Sequence, residues 1–136
     1  MNVTDLIIYA ISKFPKYDVI KYNFNFDYNK TPKNEIWKDI PNFNYECSNY
    51  GRIRNITTKK LKQLRVSQYG NQVVLWKNSK GYIFTISRLV GNLFIREINK
   101  DERVSHIDGN IRNNYYKNLR ITSLITAGYV EKVEEE

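Results

Sequence analysis

VSHIDGNIRNNYYKNLRIT, residues 104–122, is the stretch on which the reading of this chain turns. It sets His106, the only histidine, among Asp108, Gly109, Asn110, Asn113, Asn114 and Asn118. ERVSHIDGN reads as a strand running into a loop and NLRIT as a second strand. The polar stretch between them is made of residues whose short side chains bond their own backbone, so Asp108, Asn110, Asn113 and Asn114 are expected to shape turns. Gly109 is expected to take a positive φ. Asn118 follows His106 by twelve residues (118 − 106). At that spacing a hairpin with a long loop presents one residue from each strand across a common gap.

Working upstream, SRLVGNLFIRE predicts a helix capped by Ser87, with Leu89, Val90 and Leu93 on its buried face. Before it, LKQLRVS, NQVVLWK and YIFTI are rich in β-branched and aromatic residues, and QYGN and NSKG supply turns; together they predict a three-stranded antiparallel sheet. EIWKDIPNF predicts a short strand stopped by Pro41. YECSNYGRIRN predicts two short strands bent around Asn49, Tyr50 and Gly51, with Gly51 free to take a positive φ. TPKN at 31–34 marks a break. At the N-terminus, TDLIIYAISKF predicts a short amphipathic helix and YDVIKYNFNFDYN an extended arm. The final segment SLITAGYVEKV is helical at most to Ala127. The fold class is α+β, without internal repeats or low-complexity tracts.

With 136 residues, 41% hydrophobic and 14% aromatic, the chain is long enough for a core, for which Trp37, Trp76, Phe43, Phe84 and Phe94 are the natural anchors. A single cysteine, Cys47, excludes an internal disulfide framework and a four-cysteine zinc site, and is expected as a small buried apolar residue. The net charge of +8 calls for a polyanionic partner, nucleic acid ahead of a membrane surface. Residues 51–65, GRIRNITTKKLKQLR, contain Arg52, Arg54, Lys59, Lys60, Lys62 and Arg65 and no acid, whereas the last six residues are EKVEEE. LIIYAI is too short to span a bilayer and follows Asp5 rather than lysines, so neither a membrane span nor a secretion signal is expected; an intracellular, reducing location is.

The hairpin residues suit phosphodiester hydrolysis. That reaction needs a water activated near neutral pH and a divalent cation to stabilise charge on the phosphate oxygens. Histidine titrates in the right range, provided that its second ring nitrogen has an acceptor. VSHIDGNIRNNYYKNLRIT resembles the core of the HNH endonucleases of the homing type, which read Asn or Asp, then His-x-Asp-Gly-Asn, with a later Asn-Asn and Asn-Leu. SRLVGNLF resembles that family's His-Arg-Leu-Val helix. EIWKDIPNFNYECSNYGRIRN resembles the modular DNA-binding element associated with such nucleases, Trp-x-Asp-Ile-Pro followed by Tyr-x-Val-Ser-Asn-x-Gly-Arg-Val-Arg. The matches run from residue 35 to about 123 in the family's order and spacing.

The resemblance implies a ββα-metal fold, with a small antiparallel sheet and helix leading into the HNH-like hairpin. It divides the chain into an N-terminal helix and arm (1–34), the DNA-binding element (35–65), the ββα domain (66–127) and an acidic tail (128–136). It implies His106 as general base with Asn118 orienting it, and Mg²⁺ or another divalent cation as cofactor in an active enzyme, with none in an inactive one. Ser105 stands where the family has an Asn or Asp metal ligand, Ala127 where it has another polar ligand, and Ser87 where it has histidine. The candidate metal ligands are therefore Ser105 and Asp108. DNA is the expected partner, through Arg52, Arg54, Lys59, Lys60, Lys62, Arg65, Lys77, Lys80, Arg112 and Arg120, on a basic antiparallel ribbon lying along a groove. Three readings stay open: a metal-dependent DNA endonuclease of the mobile-element type, a non-catalytic DNA-binding descendant of one, and an assembly protein that self-associates through residues 1–34.

Overall fold

The computed structural model describes residues 26–123. The expected helix at 4–14, most of the extended arm, the final segment with Ala127 and the acidic tail lie outside the described residues. Within them the architecture is α+β: two three-stranded antiparallel sheets, one helix and a two-stranded hairpin.

The first sheet has the order β1 (Trp37–Asp39), β2 (Tyr45–Ser48), β3 (Ile53–Asn55). Its central strand YECS is buried at every position despite a serine and an acid. The register Glu46↔Arg54 explains how the acid is tolerated, because Glu46 sits directly opposite a cation. Cys47 is fully buried as expected, and burial pushes its thiol far above the ordinary range. The β2–β3 turn closes on Ser48, whose Oγ accepts from the Tyr50 and Arg52 amides at 3.1 and 3.2 Å. Gly51 takes φ +83°, and a Cβ there would lie 2.8 Å from Ile86 Cγ2 and 3.0 Å from Asn114 Cβ. Glycine is thus required twice at this turn, for its backbone and for the approach of two other elements.

Residues 26–34, read from sequence as the end of a separate arm, pack on this sheet. The Tyr28 hydroxyl donates to Lys62 O at 2.7 Å and accepts from Ile53 N at 3.0 Å. Burial pushes that hydroxyl up to about 12, so it stays protonated as a strap between β3 and the segment after it.

The second sheet is a meander of β4 (Arg65–Ser67), β5 (Gly70–Lys77) and β6 (Lys80–Thr85). The β5–β6 turn is made by Asn78 and Ser79 at φ +52° and +64°, the two positive angles that a tight two-residue hairpin needs. Val73 and Leu75 face inward and are fully buried, while Trp76, expected as a core anchor, is 54% exposed. The reason is strand parity: Trp76 is one residue out of phase with Leu75, so its ring lies on the outer face, where it covers Gly81.

β6 runs directly into α1 (Ile86–Phe94). The helix starts two residues earlier than expected: Thr85 occupies the N-cap, without a side-chain cap bond, and Ser87 is buried inside the first turn. Ile86, Leu89 and Val90 bury against both sheets. Arg88 ties the helix to the following hairpin by donating to Glu102 O and Asn99 O, both at 2.9 Å. That hairpin pairs β7 (Glu102–His106) with β8 (Leu119–Ser123) in the register His106↔Leu119. The polar loop 107–118 docks on the first sheet through Tyr116 N, which donates to Asn49 O at 3.0 Å.

Candidate active site and nucleic-acid interface

His106 is the last residue of β7 and half-buried at the mouth of the loop. Its Nε2 lies 2.8 Å from Oδ1 of Asn114. An amide oxygen only accepts, so this bond is made by the tautomer with its proton on Nε2, which presents its lone pair on Nδ1. Asn114 is buried, and its Cβ rests against the bare Cα of Gly51. The ring is thereby aimed by a chain of contacts that begins in the first sheet: Gly51 admits Asn114, and Asn114 selects the tautomer of His106. The side chain bonded to His106 Nε2 is that of Asn114, which the sequence marks only as one more turn-former, whereas the side-chain bonds of Asn118 go to Asp108 and Asn113.

Asn118 does something different. Its Oδ1 accepts from Asp108 N at 3.1 Å, and its Nδ2 donates to Asp108 Oδ1 and to Asn113 O, both at 2.9 Å. It thus laces the two ends of the loop together. Asp108 is the centre of this network, with Oδ1 also accepting from Asn110 N at 2.8 Å and Oδ2 from Asn113 Nδ2 at 2.9 Å. Desolvation works against its charge, but the bonds from Asn113, Asn110 and Asn118 prevail and hold the carboxyl below its usual value. Gly109 has φ +77°, as its turn position demands.

Ser105 precedes His106 in an extended strand, and exposure alternates from Glu102 to His106. Its side chain therefore lies on the other face of the strand, exposed, with Oγ 3.5 Å from Arg120 O. A hard divalent cation favours carboxylate oxygens. The described residues offer one neutral hydroxyl and one carboxylate whose two oxygens are already hydrogen-bonded, and among them no group of three His, Cys, Asp or Glu is placed to hold a metal. They do not by themselves fit such an ion.

The basic residues divide sharply. Arg52 is buried and donates to Glu35 Oε1 at 2.6 Å and to Tyr28 O at 3.0 Å, so it faces the interior rather than a ligand. Arg54 bonds Glu46 and lies 3.8 Å over the Trp37 ring; Lys59, exposed, reaches the same carboxylate at 3.1 Å. Burial works first against the charge of Glu46, and these two cations outweigh it, holding the carboxyl below its usual value. Lys62 is half-buried near the Tyr45 ring. Arg112 is half-buried, with Nη1 donating to Asn71 at 3.1 Å, and desolvation lowers its affinity for its proton. Lys60, Arg65, Lys77, Lys80 and Arg120 are exposed. Arg103, unmarked in the sequence reading, joins them: it sits two residues before Ser105 on the same exposed face of the hairpin, a parity that strand alternation alone predicts.

Residues 35–74 match the family described as the NUMOD4 motif, which covers the first sheet and continues into β5. The chain is 40% identical over 88 residues to the uncharacterized HNH endonuclease L245 of Acanthamoeba polyphaga mimivirus, covering 64% of this chain and 27% of that protein. It is 34% identical over 87 residues to DNA endonuclease I-HmuI of Bacillus phage SP01, covering 62% of this chain and 50% of that protein. The solved structure described as DNA binding and cleavage by the HNH homing endonuclease I-HmuI superposes with a TM-score of 0.63 at 29% identity, over 74% of this chain and 59% of that one. The chain thus spans between about a quarter and a half of the length of these curated relatives.

Proposed function

We propose that this chain, a homologue of HNH homing endonucleases with a NUMOD4 motif ahead of its histidine hairpin, binds duplex DNA and hydrolyses a phosphodiester bond at His106. The observation that carries the chemistry is the 2.8 Å bond between His106 Nε2 and Asn114, which leaves Nδ1 as the basic atom. In the reaction Nδ1 takes the proton of a water as its oxygen attacks phosphorus, the bond from phosphorus to the leaving sugar oxygen breaks, and that oxygen takes a proton from solvent. Asn114 keeps the ring in the receptive tautomer, and Asn118 with Asp108 keeps the loop from collapsing onto it. A divalent ion, where present, would supply charge stabilisation on the phosphate oxygens.

Binding is assigned to the exposed cations, Arg65, Lys77 and Lys80 on the second sheet and Arg103 and Arg120 on the hairpin. They would contact phosphates and position the backbone, so that retention of duplex DNA in a gel falls steeply with salt. A second reading, DNA binding without cleavage, is favoured by one observation: Ser105 offers a hydroxyl on the outer strand face and Asp108 is committed to the loop.

Nicking of supercoiled plasmid in Mg²⁺, Mn²⁺ or EDTA separates the two readings. His106→Ala is expected to lower the rate by about a hundredfold or more, the scale of a lost general base. Equal rates for wild type and His106→Ala would overturn the hydrolytic assignment. An absence of salt-sensitive retention would overturn DNA binding.

A further inference from the structure

Asn114, the residue bonded to His106, lines a cavity of about 240 Å³ together with Phe26, Tyr50, Arg112, Asn113 and Tyr115. Its walls are of two kinds. One is an aromatic row: the rings of Phe26 and Tyr50 are parallel within 4° at a centroid separation of 5.9 Å, and Tyr115 lies 4.6 Å from Tyr50. The other is polar, made of two asparagine amides and the Arg112 guanidinium. The row is held from several sides. Tyr50 donates its hydroxyl to Lys33 O at 2.8 Å, Tyr115 packs edge-on against Tyr116 at 5.2 Å, and Tyr116 N is anchored on Asn49 O. Burial, and then the neighbouring Tyr115, push the Tyr50 hydroxyl above its ordinary range.

We propose that this cavity receives a single unstacked nucleobase of the DNA strand held at His106; the proposal rests on the DNA-hydrolysing reading above. A nucleobase is flat, apolar on its faces and rich in hydrogen-bonding groups at its edge, and the cavity offers each feature a counterpart. The rings supply stacking, while the Arg112 guanidinium, of which Nη1 is engaged by Asn71, keeps its other N–H groups as donors at the rim. Location favours the same occupant. Asn114 lines the cavity and also bonds His106, so a base seated here belongs to a nucleotide within reach of the reacting phosphate. Such a pocket gives the enzyme a preference for the base beside the cut without any contact to a stacked base pair.

The test is a titration of the full chain, without metal, with deoxynucleoside 5′-monophosphates and with 2′-deoxyribose 5-phosphate, followed by NMR of the tyrosine ring and arginine side-chain protons. The nucleotides are expected to shift Tyr50, Tyr115 and Arg112 signals, with one base preferred, whereas the sugar phosphate leaves the tyrosines unmoved. Tyr115→Ala is expected to weaken the binding by about tenfold, the value of one stacking contact, and Tyr115→Phe to retain it. Equal shifts from the sugar phosphate would overturn the proposal in favour of a phosphate site. So would an absence of shifts at millimolar nucleotide, or a Tyr115→Ala variant that is folded and binds unchanged. Because no cleavage is involved, a negative titration beside positive plasmid nicking rejects the pocket alone. Nucleotide binding without nicking rejects hydrolysis alone.

Discussion

The first sheet and the hairpin of His106 treat charge in opposite ways. In the first sheet, Arg52 and Arg54 come from the stretch with the densest positive charge, yet both are spent inside the protein, on Glu35 and on Glu46. In the hairpin, Arg103 and Arg120 stand isolated in the sequence and face solvent beside Ser105. The only carboxylate of the hairpin loop, Asp108, is bonded to amides rather than to either arginine. A cation within a basic run is therefore a weak guide to a ligand-binding surface. Where it sits relative to strand parity and buried acids decides the matter.

The sharpest way to break this contrast is Arg52→Ala. The Arg52 and Glu35 side chains are 7% and 3% exposed, and Glu35 Oε2 has no hydrogen-bond partner among the described residues, so removing the arginine strands a buried carboxylate. A loss of about 3–5 kcal/mol is expected in urea unfolding, with much of it recovered in Arg52→Leu combined with Glu35→Leu. Salt dependence of DNA retention should be unchanged in the folded fraction. A stable Arg52→Ala protein with weakened DNA binding would show that the first sheet uses its charge as the hairpin does.

How far the sequence revealed this can be judged residue by residue. Gly51 and Gly109 were legible because a left-handed backbone leaves a strong mark on residue choice, and the hairpin was legible because its strands alternate and its loop is polar. The pairing of Arg52 with Glu35 and of His106 with Asn114 was not, because side-chain partners are chosen by tertiary packing. Asn114 looks like its neighbours Asn110 and Asn113 until the turn at Gly51 is brought against it. Trp76 was misplaced for a simpler reason: in a short apolar run, one residue of phase determines whether a ring faces the core.

An intermediate effect is expected at Asp108, where the hairpin loop depends on a charge held by amides. The carboxyl is lowered below its unfolded value, so the stability that it adds is present above about pH 4 and fades as pH falls through the folded value. Measured against their intrinsic rates, which fall over this range, the Asn110 and Arg112 amides should show an excess of hydrogen exchange on going from pH 6 to pH 3. Asp108→Asn should flatten that excess and cost about 1–2 kcal/mol at neutral pH. The first sheet offers the matched control, because Glu46 is also lowered but by ion pairs, so its contribution alone should weaken with added salt.

The smallest effect on folding, and the most selective for function, belongs to the exposed cations. Arg65 lies on β4 opposite Gln72, and Arg120 on β8 opposite Ser105; both are exposed, and neither has an ion-pair partner among the described residues. Replacing either with Ala should shift stability by less than about 0.5 kcal/mol, because no buried group loses its partner. If each touches one phosphate, the slope of log affinity against log salt should fall by about 1 for each substitution and by about 2 for the pair. The same measurement on Arg54→Ala, whose guanidinium is held between Glu46 and Trp37, should leave the slope unchanged. A slope that responds to Arg54 and ignores Arg120 would reverse the assignment of surfaces, placing DNA on the first sheet and leaving the histidine hairpin without a phosphate to act on.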